Sequence, residues 1–450
     1  MKRIILWFRR DLRVVDNPLL SFDGKVLPIF IFDTSILKSL EKDDRRVSFI
    51  FFYVQKLKMQ LKEIGLDLKV FYGNPLDVFD LLLKEDFDEV VATGDYDSYA
   101  RQRDLKISHE LHFRYLQDTY IFKHNEVLKD DGTPYYVFTP FYKKARVVLE
   151  DKILDKYSLV KHELIKEDYD GITQVNEKLE IAKMPLAIES IGFEKIKVEI
   201  ISPQDKLETF KSSISKYKEQ RDFLMCDVTS NLSVDLRFGT IGVREVLRFM
   251  FENRHLDIEP FIRQLIFRDF YAYLLFHIPE LEQHNYKYSF NGIKDEKKFE
   301  LFCKAKTGFP IVDAGVRQLI QTGNMHNRVR MVVASFFVKD LLLPWQWGEA
   351  FFAKYLLDYD KASNVLSWQW SAGTGVDPQP YFRVFNPYLQ SKKFDKDGLY
   401  IKRYIPELKK VEAKYLHNEI YLLEHDIKGY PKPIVNHKAA SKIAIEVFRT

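Results

Sequence analysis

IILWFRRDLR, residues 4–13, joins five apolar residues directly to a cluster of charged ones. The apolar part is typical of a buried strand, and similar short runs recur along the first 125 residues with amphipathic segments between them. This alternation predicts a doubly wound α/β domain with a parallel sheet over residues 1–125. Its expected strands are Ile4–Phe8, Val26–Phe32, Leu68–Phe71, Glu89–Ala92 and Thr119–Phe122.

The residues after the first strand exclude the standard dinucleotide turn. A dinucleotide-binding fold has a glycine-rich G-x-G-x-x-G turn at this place, whereas the present chain has Arg9-Arg10-Asp11-Leu12-Arg13. We therefore expect any ligand of this domain to bind in another way.

The remaining chain divides into two further regions. Residues 126–203 are rich in Lys and Glu and have weak periodicity, which predicts a solvated linker. Residues 204–450 show helical spacing almost throughout, so we predict an all-α domain there. Its expected helices are Leu207–Phe223, Ile241–His255, Ile258–His277, Ala314–Gln321, His326–Leu342 and Glu349–Leu357.

Composition and charge narrow the functional classes. The net charge is only +4, so a nucleic-acid surface has to be a local basic face. Cys226 and Cys303 form no C-x-x-C pair, which argues against a disulfide framework and a metal site. No apolar run reaches membrane-spanning length. We expect a cytoplasmic monomer without membrane contact.

Two segments offer chemistry for a flat, phosphate-bearing ligand. Trp368 and Trp370 precede the small residues 371–375, where such a molecule can approach the backbone; a buried aromatic corner is the alternative. The turn Thr229-Ser230-Asn231-Leu232-Ser233 offers hydroxyl and amide groups that can hold a phosphate, although the same residues also serve as ordinary helix caps.

Two predicted helices present polar groups on one face. Gln264, Phe267, Arg268 and Tyr271 share a face at helical spacing, which suits a base or a flavin, or else packing against a neighbouring helix. His326-Asn327-Arg328 begins another helix with donors that attract phosphate. We interpret His326 as a structural histidine because it has no partner at metal-ligand spacing.

Asp358 and Asp360 are two positions apart, and residues at that spacing on a helix do not face one another. A glycosidase-like pair of carboxylates is therefore disfavoured.

Farther along, basic and aromatic residues alternate, as on a surface for a nucleic-acid strand or on a solvated face. The residues of this segment are Tyr381, Phe382, Arg383, Phe385, Tyr388, Lys392, Lys393, Phe394, Lys402 and Arg403.

Taken together, these motifs resemble the DNA photolyase and cryptochrome superfamily over essentially the whole chain, and most closely its class I cyclobutane pyrimidine dimer photolyases. The segments that carry the resemblance are WFRRDLRVVDNP (7–18), GTPYYVFTPFYK (132–143), TSNLS (229–233), KTGFPIVDAGVRQL (306–319), MHNRVRM (325–331), WQWSAGTGVDPQPYFRVFNP (368–387) and PKPIVNHK (431–438).

The resemblance implies a light-dependent DNA repair enzyme, a deoxyribodipyrimidine photo-lyase, with FAD in the helical domain. Reduced FAD would donate an electron to a flipped-out cyclobutane dimer. The residues implied at the cofactor are Tyr217, Thr229, Ser230, Asn231, Leu232, Ser233, Arg268, Asp358, Tyr359, Asp360 and Asn364. Those implied at damaged DNA are Arg221, Gln264, Phe267, Arg268, Tyr271, Asn327, Arg328, Met331, Trp370, Arg383 and Gln390.

The chain departs from the family pattern at several positions. Gln264, Phe267 and Asn231 stand where Glu, Trp and a basic residue are usual, so repair yield and lesion choice are expected to differ. The relay of three tryptophans that feeds electrons to the flavin is matched only by Trp368 and Trp345. The outer position falls at residues 290–293, where Tyr286 or Tyr288 are the candidate substitutes, and we expect slow light-driven flavin reduction.

The resemblance also implies an antenna chromophore in the N-terminal domain. Tyr99-Ala100 replaces the Asn-Glu pair of the folate type, and DYDSYARQRD (95–104) is nearer to the deazaflavin or flavin type, so the chromophore's identity stays open.

Two alternative functions also stay open. One is a cryptochrome-like photoreceptor; the other is repair of the six-four photoproduct, which is disfavoured because HNRVRM lacks the paired histidines of animal six-four enzymes.

Overall fold

The computed structural model describes residues 2–150, 152, 154–165, 170–289 and 291–449. They form two compact units, a sheet unit and a helical unit. The sheet unit comprises Met1–Thr133, Tyr142–Ser212 and Ser230–Phe276. The helical unit comprises Pro134–Phe141, Ser213–Thr229 and His277–Thr450. The predicted domain limits 1–125, 126–203 and 204–450 stay a prediction.

The sheet has the order β5-β4-β1-β2-β3-β7-β8, with β6 paired to one end of β2. All pairings are parallel except β7 with β8. Because β1 lies between β2 and β4, the chain reverses direction there and leaves a switch point at the carboxyl ends of β1 and β4. The strands are β1 Arg3–Phe8, β2 Lys25–Asp33, β3 Lys69–Gly73, β4 Glu89–Thr93, β5 His112–Leu116, β6 Glu163–Leu164, β7 Ile172–Val175 and β8 Ile181–Met184.

Four predicted strands are confirmed, and the fifth is wrong. Thr119–Phe122 is irregular because side chains of a helix satisfy its backbone: Arg268 donates to the Thr119 carbonyl, and Asp269 accepts from the Phe122 amide. The strand lies instead at His112–Leu116, at the sheet edge, where most side chains are not fully buried and the apolar signal is weak.

The helices confirm the all-α character of the C-terminal region. They are α1 Thr34–Leu37, α2 Arg45–Glu63, α3 Pro75–Leu82, α4 Ser98–Ser108, α5 Phe138–Glu150, α6 Pro203–Lys211, α7 Ile214–Gln220, α8 Ser233–Phe238, α9 Val243–Glu252, α10 Glu259–His277, α11 Glu296–Cys303, α12 Pro310–Thr322, α13 Asn327–Ser335, α14 Trp345–Tyr355, α15 Lys361–Ala372, α16 Pro387–Phe394, α17 Leu399–Tyr404, α18 Ala413–Leu416, α19 Glu419–Glu424 and α20 His437–Arg449. None of the described helices is both long and apolar enough to cross a membrane.

Two predicted segments differ in detail. Residues 126–203 contain α5 and the strands β6, β7 and β8, so this segment has more regular structure than its charged composition indicated. The single helix predicted over Leu207–Phe223 is two helices, α6 and α7, because the chain turns at Ser212 and Ser213. The predicted fold class, a doubly wound α/β domain plus a helical domain, is confirmed.

The helical unit buries two neighbouring charged residues. A π-helical turn, Phe336–Asp340, extends α13 and places Lys339 and Asp340 in the core. Lys339 donates from Nζ to the carbonyl of Ala372 at 2.7 Å and lies over the Phe448 ring. Asp340 contacts Nδ1 of His437 at 2.5 Å. Phe448 and His437 both belong to α20, so this pair of charges anchors the C-terminal helix.

Candidate active site

One face of α15 presents the polar groups that the resemblance assigns to the flavin. Asp360 is the N-cap of α15 and accepts from the amide of Ser363 at 3.0 Å. Asn364 and Trp368 follow at intervals of four residues, so the three side chains lie in one row. All three are buried, and Trp368 is only 1% exposed. Sequence reasoning singled out these residues but did not predict the helix itself.

Glu349 fixes the orientation of the Asn364 amide. Nδ2 of Asn364 donates to the Glu349 backbone carbonyl at 3.1 Å and to its Oε1 at 2.9 Å, and the Tyr359 hydroxyl donates to the same Oε1 at 3.2 Å. Burial raises the pKa of Glu349, and these hydrogen bonds oppose the shift. With Nδ2 committed, Oδ1 of Asn364 is left to act as an acceptor.

Trp368 lies in a tight aromatic cage. Its ring centroid is 4.9 Å from Phe352 and 5.4 Å from Phe337, and both contacts are edge-to-face. Gly348 is required beside it, because a Cβ at that position would lie 2.2 Å from the indole. The Trp368 Nε1–H is buried and has no acceptor among the described residues. An orphaned buried donor beside Asn364 fits a polar ligand held on this face.

Asp358 does not form a dyad with Asp360. Its carboxylate accepts two hydrogen bonds from Nη2 of Arg330, at 2.9 and 3.1 Å, while Nε of Arg330 donates to the Met325 carbonyl at 2.8 Å. Asp360 is committed as a helix cap. The expectation that these two carboxylates are not an acid–base pair therefore agrees with their contacts.

The start of α13 groups several predicted DNA residues. The side chain of His326 caps the helix by accepting from the Arg328 amide, and burial lowers the pKa of His326, as expected of a structural histidine. Asn327 is exposed, and its Nδ2 lies 3.8 Å from Sδ of Met331. Arg328 pairs with Asp222 at 2.5 Å and lies over the Phe394 ring.

The remaining predicted residues of the helical unit lie on or next to α7, α15 and α16. Arg221 ends α7 and lies 5.5 Å over the ring of the buried Tyr217. Trp370 is half-buried near the end of α15, and Gln390 is half-buried on α16. Arg383 is exposed in the loop between these helices. Thr229 is the last residue of the segment Ser213–Thr229 of the helical unit, and the next residue, Ser230, belongs to the sheet unit.

In the sheet unit, α10 presents the predicted polar face. Gln264, Phe267, Arg268 and Tyr271 are all half-buried, whereas their neighbours at 265, 266, 269 and 270 are buried. The Phe267 and Tyr271 rings meet edge-to-face at 4.9 Å. The guanidinium of Arg268 donates to the carbonyls of Thr119 and Leu236, so its contacts in this unit are structural ones.

The predicted phosphate turn precedes α8. Ser233 begins this helix, Leu232 is its N-cap residue, and the Ser230 hydroxyl accepts from the Leu232 amide at 3.4 Å. Asn231 has a φ of 53°, in the left-handed region that Asn tolerates. An Asn at this position meets the backbone requirement, although it lacks the positive charge of a basic residue.

The switch point at β1 and β4 is lined by ion pairs. Arg9 and Arg103 both pair with the buried Asp104, and both guanidinium groups lie over the Trp7 ring, at 4.8 and 4.6 Å. The Tyr99 hydroxyl donates to Asp33 at 2.5 Å, and burial together with that carboxylate raises the pKa of Tyr99 to about 12. Aromatic rings and paired charges therefore surround the place where doubly wound folds bind ligands.

Comparison with known proteins identifies the family. Residues 4–156 match the family model for DNA photolyase, and residues 261–450 match the model for the FAD binding domain of DNA photolyase. The deoxyribodipyrimidine photo-lyase of Alkalihalophilus pseudofirmus is 35% identical, over 99% of this chain and 97% of that protein. The chain belongs to the DNA photolyase family. The prediction of an FAD-binding enzyme of the photo-lyase type is thereby confirmed.

Solved structures agree with this assignment. A bacterial class III photolyase from Agrobacterium tumefaciens has a TM-score of 0.83 and 31% identity, with 100% of this chain and 97% of that chain covered. An archaeal photolyase from Sulfolobus tokodaii, described with two FAD molecules, has a TM-score of 0.81 and 29% identity, with 99% of each chain covered. A Synechocystis cryptochrome at 22% identity and a TM-score of 0.83, covering 99% of each chain, shows the shared fold alone.

Several contributors to the site had no signal in the sequence. Glu349 acts through packing of α14 against α15, and Asp222 acts through the approach of α7 to α13; neither pairing follows from spacing along one helix. The pairing of Arg330 with Asp358 likewise joins two separate segments of the chain.

Proposed function

We propose that this chain repairs cyclobutane pyrimidine dimers in DNA, using light and reduced FAD. The observation that carries the proposal is the row Asp360, Asn364 and Trp368 on α15, with the Asn364 amide locked by Glu349. The name of the Alkalihalophilus relative supports the choice of lesion, because that protein is a deoxyribodipyrimidine photo-lyase and matches nearly the whole chain.

Bound and reduced, FAD would supply a photoexcited electron for splitting the cyclobutane ring. The chain's own residues prepare the place for this chemistry. Oδ1 of Asn364 would be the atom that accepts a hydrogen bond from the flavin, since Glu349 holds Nδ2. Asp358, which pairs with Arg330, would contact the ribityl portion, and Tyr359 is held by Glu349. Tyr217, Thr229, Ser230, Asn231, Leu232 and Ser233 would hold the phosphates.

Within the helical unit, basic and aromatic residues would bind damaged DNA. Asn327, Arg328 and Arg383 are donors to the phosphate backbone, and such contacts position a strand without reading its sequence. Met331 and Trp370 would line the pocket for the extruded bases, and a lesion that already weakens stacking lowers the cost of extrusion. In the sheet unit considered by itself, α10 carries Gln264, which can hydrogen-bond a thymine, and Phe267 and Tyr271, which offer ring faces for stacking.

We also propose that the switch point of the sheet unit holds an antenna chromophore. Trp7, Tyr99 and the Arg9–Arg103–Asp104 cluster surround this crevice. An aromatic wall and paired arginines suit a planar anionic ring better than a bulky neutral one. Deazaflavin and flavin chromophores have such rings.

The decisive experiment compares lesions under light and in darkness. Purified, chemically reduced protein is incubated with oligonucleotides that contain either a cyclobutane dimer or a six-four photoproduct. We expect thymine recovery from the dimer only under blue light. Recovery from the six-four lesion instead would reassign the substrate. Bound flavin with no repair of either lesion would indicate the photoreceptor function.

A substitution at position 349 tests whether the fixed orientation of the Asn364 amide matters for repair. Glu349→Gln keeps the size of the side chain, but its amide can donate as well as accept, so the orientation of Asn364 is no longer fixed. We expect FAD to remain bound while the rate of photochemical repair falls. An unchanged repair rate and an unchanged flavin spectrum would contradict the role of the locked amide.

A further inference from the structure

Helix α14 carries a tryptophan that the predicted electron relay does not include. Trp347 lies two residues after Trp345 and, unlike Trp345, is partly exposed. Its ring centroid is 5.1 Å from that of Phe299 on α11. A partly exposed indole whose ring contacts a half-buried phenylalanine, itself packed on the buried Phe337, is suited to receive electrons from solution.

A continuous aromatic path joins Trp347 to Trp368. Phe299 contacts Phe337 at 6.1 Å, and Phe337 contacts Trp368 at 5.4 Å; both contacts are edge-to-face. The backbone provides a second approach, because the Trp368 indole is packed directly against Gly348, the residue after Trp347. Both routes lie entirely within the helical unit.

Trp345 is less suited to be the terminal donor. It is 3% exposed, and its Nε1–H donates to Oδ1 of Asn285 at 2.8 Å. An oxidised indole becomes a strong acid, and its charge is trapped when the N–H proton is lost. A neutral amide oxygen is too weak a base to take that proton, so an electron that leaves Trp345 readily returns.

The position expected for the outer tryptophan offers no replacement among its described residues, which are Asn291, Gly292 and Ile293. Phe290 lies outside the described residues. Tyr286 and Tyr288 are exposed in the adjoining loop, and Tyr288 contacts Tyr381 at 5.8 Å. These tyrosines are the competing candidates for the terminal donor.

We propose that Trp347 is the surface end of the electron relay to Trp368 in this chain. The proposal rests on FAD being the acceptor next to Trp368. With oxidised FAD bound and photoexcited, Trp368 would give one electron to it, and Trp347 would then give one electron to Trp368. The Trp347 indole releases its N–H proton to water, and an external thiol returns one electron and one proton to it. Phe299 and Phe337 are not oxidised, because a phenyl ring is harder to oxidise than an indole; they only fill the gap.

The test measures flavin reduction without DNA, so it is independent of repair. Oxidised holoprotein is illuminated with a thiol present, and flavin bleaching is followed together with the transient absorbance of the deprotonated tryptophan radical. We expect Trp347→Phe to lose the long-lived radical signal and to bleach slowly. Tyr404→Phe, at a partly exposed aromatic residue of α17 outside the proposed relay, is the matched control and should behave as the wild type.

A second variant guards against a folding artefact. Phe299→Leu removes the bridging ring but keeps Trp347, and we expect it to reduce the yield of the radical at unchanged flavin content. Wild-type radical yield in Trp347→Phe, with loss of the signal in Tyr286→Phe or Tyr288→Phe, would overturn the proposal. Failure of the proposed function would be visible separately, as absence of dimer repair by chemically reduced wild-type protein.

Discussion

The two units use their most distinctive sequence segments in opposite ways. In the sheet unit, every charged side chain of WFRRDLRVVDN (7–17) has a partner within the protein: Arg9 has Asp104, Arg10 has Asp95, Asp11 has the Arg9 amide, Arg13 has Asp118, and Asp16 has Arg248. Among the described residues, this segment leaves one buried polar side-chain atom without a partner, Oδ2 of Asp11. In the helical unit, the segment around WQWSAGTG leaves buried polar atoms without partners among the described residues, at Trp368 Nε1, Gln369 Oε1 and Thr374 Oγ1.

This difference distinguishes a segment that stabilises its own unit from a segment that binds another molecule. A segment whose charged side chains all have partners holds its own unit together, whereas buried donors and acceptors without partners indicate a place where another molecule completes the bonding. Equally distinctive motifs can therefore have different roles. The first motif closes the turn after β1, and the second surrounds the proposed flavin site.

The largest expected effect is on the helical side. Trp368→Phe removes the inner donor, and phenylalanine cannot replace an indole as a one-electron donor. We expect light-driven flavin reduction to fall to the background rate at normal flavin content, measured by bleaching under blue light. Repair after chemical reduction is the internal control, because it does not use the relay. Rapid bleaching in this variant would show that electrons reach the flavin by another route.

On the sheet side, Asp118→Ala should destabilise the unit without changing the chemistry. The two groups form two hydrogen bonds at 2.7 and 2.8 Å. The substitution leaves the buried guanidinium of Arg13 without this carboxylate, with the backbone carbonyls of Val15, Asp16 and Gly239 as its acceptors. Breaking such a buried pair costs about 3–5 kcal/mol in the free energy of unfolding. The control Glu300→Ala removes an exposed i,i+4 pair with Lys304 and should change it by less than about 0.5 kcal/mol. Equal effects of the two variants in urea unfolding would contradict the assignment.

Two buried groups, Asp269 in the sheet unit and Lys339 in the helical unit, should make the free energy of unfolding depend on pH with opposite signs. Burial raises the pKa of Asp269 to about 7, so the folded sheet unit binds the extra proton and the unfolding free energy falls as pH rises from about 4 to 7. Burial lowers the pKa of Lys339 to about 7, so the unfolded chain binds the extra proton and the unfolding free energy rises between about pH 7 and 10. Each slope is at most about 1.4 kcal/mol per pH unit.

Two variants of similar size separate these contributions. Asp269→Asn should reduce the fall at acidic pH, to which Asp11 and Asp340 also contribute because burial raises the pKa of each to about 6, and Lys339→Met should remove the rise at alkaline pH. The measurement is the urea midpoint of the full chain at a series of pH values. A wild-type pH profile in either variant would show that the buried group titrates as it does in the unfolded chain.

The smallest effect concerns lesion binding. Phe267→Trp enlarges the ring face and should tighten binding of dimer-containing DNA by about 0.5–1 kcal/mol. Gln264→Glu restores the carboxylate that the family usually has, and we expect a higher repair yield per absorbed photon. Titration with irradiated oligonucleotide at fixed salt measures the affinity of Phe267→Trp for damaged DNA. The quantum yield of repair is measured for Gln264→Glu. Weaker binding by Phe267→Trp would indicate a pocket already filled by Tyr271.

The elements that could be predicted from the sequence are those that depend on a local pattern of apolar residues. The buried strands β1 to β4 were visible because both faces are apolar, whereas β5 was missed because its residues are partly exposed. The residues Asp360, Asn364 and Trp368 were singled out through resemblance, but α15 was not predicted, since its end looked like a small-residue turn. The Glu349–Asn364 and Arg330–Asp358 contacts depend on packing between separate segments, which no spacing along the chain reveals.

Light-dependent repair per bound flavin tests the central claim most directly. Protein purified gently in dim light is assayed for flavin absorbance, then reduced and given dimer-containing oligonucleotide under blue light and in darkness. We predict a yellow preparation that restores thymine only when illuminated. A colourless preparation, or restoration at the same rate in darkness, would contradict the assignment of the α15 face to a photochemical flavin.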